Sequence, residues 1–102
     1  MSKLSIVIPA YNEAEAIAEI LAKCLAARDP ICKATGLSAV EVVAVDDGSR
    51  YKTRRIAEGF PEVKLVVHPQ NRGYGQALMT GFSSASGDYL GFLDADGTCA
   101  PL

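Results

Sequence analysis

The sequence predicts an α/β fold in which helices cover both faces of a mostly parallel sheet. Four short apolar runs, three of them rich in β-branched residues, alternate along the chain with three segments of helical periodicity. The runs are almost continuously apolar, which is typical of strands buried on both faces. Strands that alternate with helices are joined by right-handed crossovers and run parallel. The expected architecture is therefore three-layered, α/β/α, with the element order β-α-β-α-β-α-β.

The first two predicted elements are a buried strand and a long amphipathic helix. The strand is expected over residues 4–8, a β-branched run that Pro9 bounds. The helix is expected to begin at Asn12, whose side chain can cap the first turn together with Glu15. Its apolar side chains recur at helical spacing on one face, and they are Ile17, Ile20, Leu21, Cys24 and Leu25. A loop is expected to follow over residues 29–38.

The remaining predicted elements are shorter. Strands are expected over residues 40–45, 63–67 and 89–93, each an apolar run of ordinary strand length. A short helix over residues 53–60 ends near a glycine and a proline. The third helix, over residues 75–85, carries a stripe of small and apolar side chains that would face the sheet.

Composition narrows the classes of function. The 102 residues have the size of one domain, and 49% of them are hydrophobic, enough for a modest core. The net charge of -2 argues against binding nucleic acid by charge neutralisation. No apolar stretch has the length of a membrane span, and the first residues lack a secretory layout, so a cytoplasmic location is expected. The three cysteines lack metal-ligand spacing and are expected to be free thiols.

Three of the four predicted strands end abruptly in polar or acidic residues. These ends are residues 9–13 (Pro-Ala-Tyr-Asn-Glu), 46–49 (Asp-Asp-Gly-Ser) and 94–96 (Asp-Ala-Asp). In an open α/β sheet, ligands bind in the crevice outside the carboxyl ends of the strands. If the first, second and fourth strands are neighbours, the three segments therefore form one site.

Asp94 and Asp96 are candidate ligands for a divalent cation. Residues two apart in an extended chain point to the same side, so both carboxylates can face one Mg²⁺ or Mn²⁺ ion. The cation would allow two carboxylates to lie beside a diphosphate that they would otherwise repel. The alternative is that these residues only mark the turn after a strand.

Asp47 and Tyr11 are candidates for binding a nucleobase. A carboxylate can accept the ring N–H of uracil or guanine, and a tyrosine ring can stack on a base. The alternatives are that Asp47 or Ser49 caps the next helix and that Tyr11 lies at the rim of the core. Arg72, in a loop without a complete dinucleotide-binding glycine motif, is a candidate for contacting a phosphate. His68 is interpreted as structural because no partner for it is visible in the sequence.

Together these motifs resemble the donor-binding half of a family 2 glycosyltransferase of the GT-A fold, of the dolichol-phosphate mannosyltransferase type. The matching segments are residues 5–13, 45–49, 71–78 and 86–96, together with Gly81. They cover nearly the whole chain, and several motifs in one order are far more specific than any single motif. The resemblance implies the strand order 3-2-1-4. It also implies that residues 1–102 are a single, truncated nucleotide-sugar-binding subdomain of this Rossmann-like fold.

The resemblance further implies an inverting, metal-dependent transfer of a sugar from UDP or GDP. Together with Arg72, the residues expected to contact the donor nucleotide are Pro9, Ala10, Tyr11, Glu13, Asp47 and Asp94. Asp94 and Asp96 would bind Mg²⁺ or Mn²⁺ as the family's D-x-D motif. The acceptor would be a polyprenyl phosphate or a saccharide, and a membrane segment elsewhere in a longer protein would place the enzyme at the cytoplasmic membrane face.

No catalytic base is identified in the sequence. Inversion needs a base that deprotonates the acceptor opposite the leaving diphosphate, and the resembled enzymes carry it in the second half of the domain. This chain alone is therefore expected to bind a donor and not to transfer its sugar.

Two other functions and one assembly state follow from the same residues. Residues 93–98 (Leu-Asp-Ala-Asp-Gly-Thr) also match the first motif of haloacid-dehalogenase-type phosphatases, in which Asp94 would be the nucleophile. A non-catalytic nucleotide- or metal-binding module is the second alternative. In the order 3-2-1-4, the fourth strand is an apolar edge without proline or lysine, which favours a homo-oligomer formed through that edge.

Overall fold

The computed structural model describes residues 2–12, 14–49 and 51–93. Within these ranges the chain forms four strands and three helices in the predicted order. The strands are β1 (Lys3–Ala10), β2 (Ala39–Asp47), β3 (Lys64–His68) and β4 (Tyr89–Phe92). The helices are α1 (Ala14–Thr35), α2 (Tyr51–Glu58) and α3 (Tyr74–Ser84).

The four strands form one parallel sheet with the order β3-β2-β1-β4, which confirms the expected order. β1 pairs with β2 on one side, with Lys3 opposite Ala39 and Ala10 opposite Asp46. On its other side β1 pairs with β4, where Val7 lies opposite Phe92. The winding therefore reverses between β1 and β4. Such a reversal opens a crevice at the carboxyl ends of the two strands.

Each face of the sheet packs against helices because successive strand side chains point to opposite faces. Ile6 and Ile8 of β1 belong to a core that includes Ile17 and Leu21 of α1. Val7, between them, belongs to the second core, on the α3 face. These contacts form the predicted α/β/α layers.

Helix α3 lies unusually close to the sheet at Gly81. A Cβ atom at this position would overlap the Val7 side chain and approach Val45 Cγ2 to 3.2 Å. Because of this close approach, α3 covers the second core, to which it contributes the fully buried Ala77.

Helix α1 is longer than predicted, so the loop expected over residues 29–38 is wrong for most of its length. The helix continues through Pro30 to Thr35. Proline removes one backbone donor, but Ile31 and Cys32 pack against the core of the α1 face beyond it. Thr35 Oγ1 also donates a hydrogen bond of 2.6 Å to the Ile31 carbonyl. Packing beyond the proline therefore outweighs the interrupted backbone ladder.

Helix α1 begins at Ala14, two residues after Asn12. Glu13 between them lies outside the described residues, so the cap expected from Asn12 stays a prediction. Asn12 has a φ of 52°, in the left-handed region that asparagine tolerates better than most residues. The other elements begin and end within two residues of the predicted positions.

Other features of the described chain bear on the remaining expectations. No helix in the described ranges is both long enough and apolar enough to cross a membrane. Cys24 and Cys32 are free thiols, as expected, and Cys99 lies outside the described residues. Tyr89 and Leu90 of β4 are 57% and 50% exposed. Oligomerisation through this edge stays a prediction.

Candidate functional site

The segments that follow β1 and β2 are joined by the Ser49 hydroxyl. Ser49 Oγ accepts a hydrogen bond of 2.9 Å from the Asn12 backbone N–H and donates one of 3.4 Å to the Ala10 carbonyl. Ser49 thus links two strand ends, and its expected capping role stays a prediction because residue 50 lies outside the described residues. Two of the three polar strand ends predicted to meet do meet.

The turn after β2 also packs directly on the loop after β3. Gly48 has a φ of 73°, and a Cβ atom there would overlap the backbone of Gln70 and Asn71. Any other residue would be strained by the positive φ and would push the two loops apart. Three loops thus form one continuous surface at the carboxyl edge of the sheet.

Asp47 lies at the centre of this surface and is only 3% exposed. Its Oδ1 atom accepts hydrogen bonds from His68 Nδ1 at 2.8 Å and from the Arg72 backbone N–H at 2.9 Å. Its Oδ2 atom accepts from Asn71 Nδ2 at 3.0 Å and from the Gly73 backbone N–H at 2.9 Å. Four donors from the protein therefore surround one carboxylate.

These donors also determine the charge of Asp47. Burial is the largest single influence and raises the pKa of its carboxyl group. The hydrogen bonds from His68 and from the Arg72 and Gly73 amides, with the charge of His68, together outweigh burial and hold the pKa below its usual value. Asp47 is therefore ionised at neutral pH.

His68 has a partner on each side, although the sequence revealed neither. It lies opposite Asp47 in the β2–β3 pair, is 6% exposed, and its Nε2 atom lies 2.8 Å from Thr80 Oγ1 of α3. Because an ionised carboxylate can only accept, Nδ1 carries a proton. A second hydrogen bond joins Nε2 to the Thr80 hydroxyl. The structural interpretation of His68 thus gains a defined network, which the placement of both residues at the ends of neighbouring strands would have revealed.

Asp46 faces the opposite side of the sheet from Asp47, as neighbouring strand residues do. It is 2% exposed, and its Oδ1 atom accepts a hydrogen bond of 3.0 Å from the Ser49 backbone N–H. The two adjacent carboxylates therefore avoid each other by pointing to different faces.

The other predicted site residues are unevenly placed with respect to solvent. Pro9 and Ala10 are buried at the end of β1, whereas Tyr11, the next residue, is 49% exposed. Arg72 is exposed, and within the described part of the chain its guanidinium forms no hydrogen bond or ion pair. The carboxyl edge thus presents an aromatic ring and a cation to solvent. Their contact with a nucleotide stays a prediction, as does that of Asp47.

The predicted metal ligands cannot be located on this surface. Glu13, Asp94 and Asp96 lie outside the described residues. Leu93, the last residue before them, donates its backbone N–H to the Val7 carbonyl at 3.0 Å, beside the central strand. Within residues 2–12, 14–49 and 51–93, no group of three or more His, Cys, Asp or Glu side chains could hold a metal ion. The expectation of a metal therefore depends on Asp94 and Asp96.

Comparison with known proteins gives one family over almost the whole chain. The model of glycosyl transferase family 2 matches residues 5–102. The chain is 42% identical over 98 residues to an undecaprenyl-phosphate 4-deoxy-4-formamido-L-arabinose transferase from Shewanella sediminis, covering 91% of this chain and 28% of that protein. It is 37% identical over 101 residues to a dolichyl-phosphate beta-glucosyltransferase from Drosophila melanogaster, covering 93% of this chain and 31% of that protein. The chain thus spans less than a third of these relatives.

Solved structures agree with this result. TarS from S. aureus matches with a TM-score of 0.74 and 31% identity, over 92% of this chain and 27% of that one. The mannosyltransferase PcManGT from Pyrobaculum calidifontis, solved with GDP-Man and Mn²⁺, matches with a TM-score of 0.68 and 32% identity, over 93% of this chain and 28% of that one. These likenesses confirm the fold class expected from the sequence.

Proposed function

Because the chain belongs to glycosyl transferase family 2, we propose that it forms the donor-binding part of a nucleotide-sugar-dependent glycosyltransferase. The observation that carries the proposal is the continuous surface at the carboxyl edge, where Ser49 joins two strand ends and Asp47 joins the loop before α3. The exposed Tyr11 and Arg72 on this surface have the chemistry that a base and a diphosphate require.

The donor in this proposal is a UDP- or GDP-sugar. The PcManGT structure contains GDP-Man, and a second TarS structure contains UDP. Pro9, Ala10 and Glu13 would line the nucleoside pocket, Tyr11 would stack on the base and Arg72 would meet the diphosphate. Direct contact between Asp47 and a base would require the carboxylate to give up one of its bonds to the protein.

Asp94 and Asp96 would hold Mn²⁺ or Mg²⁺ in the proposed enzyme. The PcManGT complex and a glucosyl-3-phosphoglycerate synthase complex from Mycobacterium tuberculosis both contain Mn²⁺. A bound divalent cation supplies a Lewis acid that stabilises charge on a leaving diphosphate. Metal dependence and inversion at the sugar are both part of the proposal.

The proposed acceptor is a polyprenyl phosphate, because the names of the two relatives described above specify undecaprenyl phosphate and dolichyl phosphate. A saccharide acceptor is the second possibility. The phosphatase alternative gains no support from the family match, and the Asp94 motif on which it depended lies outside the described residues. A binding module without catalysis differs from the proposed function only in turnover.

Calorimetric titration of the chain with UDP and GDP, each with and without Mn²⁺, tests the proposal. We expect binding of at least one nucleotide that strengthens with Mn²⁺. The combined substitution Asp94→Ala and Asp96→Ala should remove the effect of the metal and leave metal-free binding unchanged. A folded chain that binds neither nucleotide would overturn the donor-binding proposal. Unchanged metal dependence in the double variant would overturn the metal assignment alone.

A further inference from the structure

The Asp47 carboxylate is fully used within the protein. A carboxylate offers about four acceptor sites, and Asp47 fills them with one imidazole, one amide side chain and two backbone N–H groups, all within 3.0 Å. The residue is also almost completely buried. This arrangement fits a carboxylate that stabilises the local structure better than one that is available to bind a nucleobase.

Most of the donors to Asp47 come from one short loop. Asn71 donates from its side chain, and Arg72 and Gly73 donate from the backbone. Asn71 Nδ2 also donates to the Asp47 backbone carbonyl at 3.2 Å. The two backbone bonds hold the peptide groups on either side of the Arg72 Cα atom. The carboxylate therefore sets the direction in which the Arg72 side chain leaves the loop.

His68 in turn holds Asp47. Its ring lies between the Asp47 carboxylate on β2 and the Thr80 hydroxyl on α3, at 2.8 Å from each. The same helix begins directly after the loop that Asp47 holds, and its first turn includes a hydrogen bond from the Ala77 N–H to the Gly73 carbonyl at 3.0 Å. Among the described residues, no side chain forms a capping hydrogen bond at this helix start. The network thus fixes both the loop and the helix to which it leads.

We propose that Asp47 and His68 are positioning residues that hold loop 71–73 so that Arg72 meets the diphosphate of the donor. This inference rests on the proposed donor-binding function and goes beyond it by assigning Asp47 a task other than reading the base. His68 is buried beneath the loop and acts on the ligand only through Asp47. The network then strengthens binding of the diphosphate, which all nucleoside diphosphates share.

A double-mutant cycle between His68 and Arg72 tests this assignment. The ligands are UDP, GDP and inorganic pyrophosphate, each with Mn²⁺, and the variants are His68→Leu, Arg72→Ala and their combination. We expect His68→Leu to weaken binding of all three ligands by a similar factor of about ten, near the lower limit of the range for a hydrogen bond to a charged group. In the Arg72→Ala background the same change should have little further effect, because the side chain being positioned is gone.

Two further variants separate positioning from general damage to the fold. His68→Asn keeps an N–H donor near the place of Nδ1 and should recover most of the lost affinity. Glu41→Gln alters a carboxylate that holds the loop at the other end of α3, away from the site, and should leave binding of all three ligands unchanged. Circular dichroism checks that each variant is folded.

Several outcomes would overturn the assignment. One is an equal loss of affinity from His68→Leu with and without Arg72. Another is an Asp47→Asn variant that changes the ratio of UDP to GDP affinity and leaves pyrophosphate binding intact, since this would show that Asp47 reads the base. If His68→Leu does not fold, Thr80→Val replaces it in the cycle, with an expected loss of about threefold. Additive effects of Thr80→Val and Arg72→Ala would then overturn the assignment. A folded wild-type chain that binds none of the three ligands would instead overturn the donor-binding function on which the assignment rests.

Discussion

At each end of strand β2, a carboxylate side chain accepts hydrogen bonds from a segment next to helix α3. Near its amino end, Glu41 accepts hydrogen bonds from Ser5 Oγ at 2.8 Å and from the Ser86 backbone N–H and hydroxyl at 2.9 and 3.2 Å. At its carboxyl end, Asp47 accepts from loop 71–73. Ser86 follows α3 and loop 71–73 precedes it, so one strand anchors both ends of one helix.

The partners of the two carboxylates differ. Glu41 is bonded mainly to hydroxyl groups and lies 3.8 Å from Lys3 Nζ, and 18% of its side chain is exposed. Asp47 is bonded to an imidazole and to backbone amides, and only 4% of its side chain is exposed. Water can replace partners more readily at Glu41 than at Asp47. Asp47 also holds the backbone of Arg72, so this anchor influences a side chain that can meet a ligand, whereas the Glu41 anchor serves stability.

The largest expected difference between the two anchors is in stability. Asp47→Ala should lower the free energy of unfolding by about 3 kcal/mol, because it leaves buried donors without an acceptor. Glu41→Ala should lower it by about 1 kcal/mol, because its donors lie nearer to water. Urea unfolding followed by circular dichroism measures both changes. A loss in the free energy of unfolding that is as large for Glu41→Ala as for Asp47→Ala would contradict this expectation.

The second expected difference is in the response to acid. The pKa of Glu41 is also below its usual value: burial raises it, but the bonds from Ser86 and Ser5 and the charge of Lys3 outweigh burial. A carboxyl group whose pKa is lower in the folded state stabilises the fold above the unfolded-state pKa, about 3.9 for Asp and 4.3 for Glu. That contribution is lost as the pH falls through the lower folded-state value.

Wild-type stability should therefore be nearly constant from pH 7 to pH 5 with respect to these groups and should fall below about pH 4. Asp47→Asn should flatten the acid limb more than Glu41→Gln, because water screens the hydrogen bonds that lower the pKa of Asp47 less than those that lower the pKa of Glu41. His68 is the titratable group that contacts Asp47, and Lys3 is the charged group beside Glu41. Urea unfolding at pH 7, 5, 4 and 3 measures the effect, and equal acid limbs in wild type and Asp47→Asn would contradict it.

The smallest expected effect is a difference in ligand binding between the carboxyl ends and the amino ends of the strands. Tyr11 at the carboxyl edge and Tyr89 at the amino end of β4 are similarly exposed, at 49% and 57%, which makes them a matched pair. Tyr11→Ala should weaken UDP or GDP binding about fivefold, near the lower end of the range for a stacked base, and should leave pyrophosphate binding unchanged. Tyr89→Ala should change neither. Calorimetry with each ligand measures this, and equal effects of the two substitutions would remove Tyr11 from the site.

Much of the fold could be predicted because local patterns express it. The short apolar runs and the helical spacing of apolar residues predicted every described element in order. The predicted end of α1 came too early because the contacts of Ile31 and Cys32 with the core, which stabilise the helix beyond Pro30, are not local. The order of the strands came from the family resemblance, since periodicity alone does not distinguish one parallel arrangement from another.

The sequence by itself determined which residue types stand at the strand ends, and with them the family and the expectation of a shared site. Only the tertiary structure decided what those residues do to one another. Asp47 meets His68, Asn71, Arg72 and Gly73 only after β3 has paired with β2, across 21 to 26 residues of intervening chain. Hydrogen bonds between groups so distant along the chain depend on strand register and on the path of the backbone. Both emerge only when the whole sheet has packed.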